Sequence, residues 1–189
     1  GWGLVPHIAG LVFVPLSVAI ALLSGPVGVL SQKTGPGPLL SAGSAITGLA
    51  YAALAIGMPW GAFWGHIMPS MTLMALGMAL VVAPLSAAVM GSASRDQSGA
   101  ASGINNALSR VAGLVAVAAM GGVAAPAYVH AGGPAALGVT PLDDGIAHRV
   151  ASNAAFSVVA WITAGLCWLG ALVGYFGIGR PAAPRPETA

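Results

Sequence analysis

Residues Ser94–Gly122 read SRDQSGAASGINNALSRVAGLVAVAAMGG, and this stretch decides how the whole chain is read. A charged pair, Arg95-Asp96, opens it. A long helix of small residues is expected to follow. Ser102, Asn106 and Arg110 stand four residues apart, so they stack on one helical face. Asn105 and Ser109 form a second line beside them. Ala100, Ala101, Gly103, Ala107, Ala112, Gly113 and Ala116 cover much of the rest. Such a helix would serve poorly as a core helix in water. In a membrane bundle its small residues admit close neighbours, and its polar line needs something polar to face.

Composition points to the same solvent. The chain has 189 residues, of which 57% are hydrophobic and only 5% charged. Its mean hydropathy is +0.90. Soluble domains carry about 25% charged residues, so the lipid bilayer is the expected surrounding. A net charge of +2 is too small and too scattered for a nucleic-acid surface, and no nucleic-acid partner is expected. One cysteine, Cys167, excludes an intramolecular disulfide. The chain opens on Gly1 and runs straight into an apolar segment, without a basic start and cleavage site. The expectation is the tail of a longer protein or a truncated reading frame.

Crossing the hydrocarbon core takes about 20 mostly apolar residues. Five segments qualify, at about 6–30, 38–57, 67–90, 99–125 and 152–178, which predicts an all-α membrane protein. Pro6 suits a first helical turn, and Pro15 and Gly25-Pro26 should kink or interrupt the first span. Gly43, Ser44, Thr47 and Gly48 give the second span spacings for close helix contact. The third carries Met68, Met71, Met74 and Met78, read as packing or, alternatively, as an adaptable wall for apolar ligands. Pro84 should kink it. The fifth carries Trp161, Cys167 and Trp168.

The connections set the orientation. Ser31 to Gly37 reads as a tight turn. Trp60, Phe63 and Trp64 are placed as an interfacial aromatic belt. Gly91 to Ser98 reads as a short polar turn, Ala127 to Val150 as the one long loop, and 180–189 as a disordered cytoplasmic tail. Lys33, Arg95, Arg180 and Arg185 fall on one side and Arg149 on the other. The positive-inside rule then makes the C-terminus cytoplasmic in a multi-pass protein of the cell (inner) membrane, with the start of this chain outside. An odd number of spans with that start suggests further helices upstream.

The run Gly99–Gly122 resembles the penultimate helix of the 14-span drug:proton antiporter group of the major facilitator superfamily. Met68–Ala93, with its Pro-Leu-Ser-Ala pattern, is similar to the preceding helix of that group. The opening 37 residues look like its Gly-aromatic start, helix and Gly-x-Leu-x-x-Arg/Lys-x-Gly turn, here Gly28, Leu30, Lys33 and Gly35. The resemblance implies the C-terminal portion of such a bundle. It also implies a cytoplasmic latch at Gly28, Lys33 and Gly35, and a missing N-terminal transporter half as partner. This sequence departs from the pattern at Gln32, where an acidic residue is usual. No acidic residue lies in any of the five spans, so proton coupling by this part alone has no support in the sequence.

Each candidate residue has two readings. Arg110, deep in its helix, contacts substrate or another helix, or else snorkels toward the N-terminal end of its helix. Asn105 and Asn106 face substrate or make ordinary interhelical hydrogen bonds. His7 and His66 fall near the outer face, where histidines usually have no special role. Asp144 and His148 are four apart, but two ligands do not make a metal site. No metal or cofactor is expected.

Three functions follow. The first is efflux of a small, amphipathic substrate by the C-terminal part of a secondary, proton-coupled transporter, with Ser102, Asn105, Asn106 and Arg110 lining the cavity. The second is a truncated or degenerate transporter piece without activity of its own. The third is an intramembrane serine protease built on Ala101-Ser102-Gly103. There the histidines fall at the far membrane face from Ser102, out of reach of a nucleophile. No enzyme is expected.

Overall fold

A computed structural model describes residues 10–11, 13–57, 63–91, 98–134 and 145–177. Five helices account for nearly all of them: α1 (Val14–Thr34), α2 (Pro36–Gly57), α3 (Met68–Gly91), α4 (Ser98–His130) and α5 (Gly145–Gly177). A π-helical turn, Phe63–Ile67, leads into α3. Among the described residues there is no strand. All five helices are long and apolar enough to cross a membrane. The fold is therefore all-α, as the apolar runs predict.

Several boundaries differ from the sequence reading. Pro15 lies in the first turn of α1, where its missing N–H costs nothing, so it opens the helix instead of interrupting it. The turn expected over Ser31–Gly37 shrinks to Gly35. Helix α1 runs through Thr34, α2 starts at Pro36, and Gly35 takes φ 82° while its N–H donates to the Ser31 carbonyl at 2.9 Å. A residue with a Cβ would be strained there. The long loop shortens as well. Helix α4 continues to His130 and α5 begins at Gly145, because Ala, Tyr and Val after Pro126 and Ile, Ala and Val after Gly145 sustain helix. Pro6, His7, Trp60, Arg95, Asp96, Asp143, Asp144 and the 180–189 tail lie outside the described residues.

In space the helices follow the order α1, α3, α2, α5, α4, each packed mainly on the next. Helix α2 is the centre: 50% of its most apolar stretch is buried, against 6% for α4. Helix α4, which carries most of the stretch that decides the sequence reading, stands at the edge instead. The reason is where the small residues lie and what approaches them. On one side of α2, a Cβ on Gly43 would stand 2.7 Å from the Gly77 carbonyl oxygen of α3. A Cβ on Gly77 would collide with the Thr47 hydroxyl, which itself donates to the Gly43 carbonyl at 2.8 Å. On the other side, Gly48 meets the Trp168 indole and the Ala164 carbonyl of α5, and Gly174 of α5 approaches the Ser41 backbone. The Ser157 hydroxyl of α5 donates to the Ala55 carbonyl at 2.8 Å. Lipid tails are as apolar as leucine, so close packing and such hydrogen bonds hold membrane helices together. By contrast, a Cβ at Gly99, Gly103, Gly113, Gly121 or Gly122 of α4 would meet nothing within 4 Å.

The methionines of α3 follow their packing reading. Met71 and Met74 are buried against Ala50 and Leu54, with Met78 at the edge of the cluster. Phe63 is buried, and Trp64 meets it edge to face at 5.2 Å while standing exposed. Only Trp64 of this described pair presents the outward ring that an aromatic belt needs.

Candidate functional site

A concave feature lies between α4 and α5. These helices meet closely at one end. Tyr128, fully buried, packs among Ala124, Ala127, Ala131, Ala151 and Ala155. Its hydroxyl shares a 2.8 Å hydrogen bond with His148 Nδ1, and the two rings meet edge to face at 5.6 Å. Gly133 leaves room for the Tyr128 ring, since a Cβ there would collide with it. The alanines explain the close approach: with methyl side chains on both helices, only the tyrosine stands between the backbones.

Beyond this contact the helices separate. Val117, Met120, Gly121 and Ala124 of α4 and Ser152, Ala155, Phe156 and Val159 of α5 line an apolar hollow of about 460 Å³. Farther on, Leu166 and Val173 continue the side of α5 that carries Ala155, at 11 and 18 residues' spacing, and both are exposed. The matching side of α4 is exposed too. Ser102, Asn106 and Arg110 stand 18 residues before Met120, Ala124 and Tyr128. Eighteen residues make five turns, so each polar residue shares its line with one that packs on α5 or lines the hollow. Both helices therefore turn their facing sides into an open groove. It is closed at the Tyr128–His148 end and open at the Ser98–Gly177 end.

Ser102, Asn106 and Arg110 continue the side of α4 that lines the hollow, and Asn105 lies beside that line. Ser102, Asn106 and Arg110 are exposed, and Asn105 is half-buried. The Ser109 hydroxyl is turned back onto the Asn105 carbonyl at 2.8 Å. Arg110 has no ion-pair or hydrogen-bond partner among the described residues. It lies about 18 Å from the start of a helix about 50 Å long. The chain's four acidic residues, Asp96, Asp143, Asp144 and Glu187, all lie outside the described helices.

The other selected residues are not brought to the groove. Gly28 and Lys33 lie on α1 and Gly35 at its end, with Lys33 exposed in the last turn, where a cation suits the helix dipole. Ser102 meets no histidine. His130, on the same helix, is 28 residues on, about 42 Å away. His148 is engaged with Tyr128. Among the described residues no cluster of three or more His, Cys, Asp or Glu side chains gathers to hold a metal.

A second hollow of about 330 Å³ lies on the other side of α5, lined by Phe13, Tyr51, Leu54, Ile67, Met71, Met74 and Phe156. Phe156 is common to both hollows and separates them. Sequence reasoning gives no role to Tyr128 or Phe156, and weighs His148 only as a metal ligand beside Asp144. Tyr128 and His148 fell in a segment read as loop, although an aromatic and a histidine beside alanine runs offered a signal for a helix contact.

Comparison with known proteins identifies no relative: no family model, no curated protein and no solved structure matches this chain.

Proposed function

We propose that this chain is part of a multi-pass membrane transporter that exports small amphipathic compounds, with the α4–α5 groove as the substrate path. The supporting observation is the two-part character of the groove. An apolar hollow at Phe156 and Met120 continues, on the same face of α4, into the polar line Arg110, Asn106 and Ser102. A ligand with an apolar body and a polar end matches that sequence of surfaces. The resemblance to the drug:proton antiporter group of the major facilitator superfamily supports the same reading. In it, a second bundle covers the open side of α4, and rocking of the two halves exposes the groove to either side. With Lys33 on the cytoplasmic side, the groove opens inward and the Tyr128–His148 contact closes it outward.

The test is efflux from cells producing the full-length protein. Arg110→Ala should lower export of an amphipathic dye at unchanged expression. Wild-type export by that variant would remove Arg110 from the path. One observation favours the other reading, an inert transporter piece: the long α4 is almost wholly uncovered, and the described helices hold no carboxylate for proton coupling. Co-purification with a separate membrane partner would support a split transporter over a relic.

A further inference from the structure

We infer that the α4–α5 groove binds a single-chain anionic amphiphile, its acid head on Arg110 and its apolar body in the hollow beside Phe156. This rests on the groove being the transport path and adds the sign of the ligand's charge.

The geometry carries the inference in three steps. First, Arg110 is a cation with no counter-charge among the described residues. No carboxylate lies on any described helix, and no polar partner reaches it among the described residues. An arginine at this depth of an apolar helix is costly until an anion or water pairs with it. Its planar, permanently charged guanidinium is suited to a carboxylate, which it can bind through two parallel hydrogen bonds. Second, the adjoining groups are neutral and polar. Asn106 and Ser102 lie on the same line toward the open end, so the head region offers donors and, among the described residues, no competing negative charge. Third, the hollow begins seven residues beyond Arg110 at Val117 and runs to Ala124. That places its lining about 10–20 Å from the arginine, the length of a medium alkyl chain. The hollow is almost wholly apolar, so it suits the body and rejects the head. A phospholipid phosphate shares the acid chemistry, but a diacyl lipid brings two chains to a one-chain hollow.

The experiment measures binding of dansyl-labelled undecanoate and its methyl ester to the full chain in phosphatidylcholine nanodiscs. The acid should bind saturably and about tenfold or more tighter than the ester, as one charge-assisted contact predicts. Arg110→Gln should bring the acid to the level of the ester and leave the ester unchanged. Gly121→Leu should weaken both, because the leucine enters the hollow without meeting a neighbour at its Cβ. Val115→Ala, about 140° round α4 from Arg110 and exposed, should change neither.

Equal binding of acid and ester, or an acid affinity indifferent to Arg110→Gln, overturns the inference. Loss of acid binding in phosphatidylglycerol nanodiscs also overturns it, by assigning Arg110 to lipid phosphate. Failure here is separable from failure of the export reading. Efflux of neutral or cationic dyes without acid selectivity would leave export and remove this site. Acid-selective binding without efflux by the full-length protein would do the reverse.

Discussion

Arg110 and Tyr128 share one line of α4, five helical turns and about 27 Å apart, and their surroundings are opposite. Tyr128 is fully buried and bonded to His148, while Arg110 stands exposed and unpaired among the described residues. A face that is packed at one end and open at the other defines a wedge. Its closed end fixes the angle at which α4 leaves α5.

Cross-linking reads that wedge directly. With Cys167 replaced by serine, the pair Ala124→Cys and Ala155→Cys should form a disulfide readily, since both positions border the Tyr128 cluster. The pair Asn106→Cys and Val173→Cys should not, because both positions are exposed beyond the hollow. A disulfide demands Cα atoms within about 7 Å. Equal yields from the two pairs would mean parallel helices and no wedge.

The crossing of α2 and α3 should be the least tolerant contact. Gly77→Leu places its Cβ against the Thr47 hydroxyl and the Gly43 carbonyl, 2.8 Å away in the second case, and backbone cannot yield cheaply. Overpacking typically costs about 1–3 kcal/mol. In detergent, the variant should melt several degrees below wild type, and Gly113→Leu, whose Cβ meets nothing within 4 Å, should not. A larger loss from Gly113→Leu would reverse the assignment of centre and edge.

This contrast also marks what the sequence could tell. Helix number and type were readable because each apolar run exceeds the length a bilayer demands. The close approach at Gly43, Thr47 and Gly48 was readable from small-residue spacing. Which small-residue helix occupies the centre was not. Gly43 and Gly113 look alike in sequence, and only the neighbours differ: Gly77 faces one and nothing faces the other. The polar line was legible from four-residue spacing, but its alignment with Met120, Ala124 and Tyr128 needed a helix unbroken through Pro126. The sequence reading had ended that helix one residue before the proline. With it went the Tyr128–His148 contact.

Topology can be tested at the ends of the same helices. Helices α2 and α4 run opposite to α1, α3 and α5, which places Thr34 at one end of the bundle and His130 at the other. In the Cys167→Ser background, Thr34→Cys should react with an impermeant maleimide only after the cells are opened. His130→Cys should react in intact cells, as the distribution of basic residues requires. Labelling of both under one condition would contradict opposite placement. The reversed pattern would invert the protein and turn the groove outward.

The closing contact itself separates packing from hydrogen bonding. Tyr128→Phe keeps the ring among its five alanines and removes only the bond to His148. The expected loss is about 0.5–1.5 kcal/mol. Tyr128→Ala leaves a ring-sized void between the helix backbones, and large aromatic deletions cost about 3–5 kcal/mol in packed cores. His148→Ala should resemble Tyr128→Phe, and the double variant Tyr128→Phe with His148→Ala should cost little more than either alone, because both remove the same bond. Thermal unfolding in one detergent, with cross-linking of Ala124→Cys to Ala155→Cys as a second readout, measures the set. If the two single losses simply add, the Tyr128–His148 bond does not couple the helices, and alanine packing alone holds the groove shut at this end.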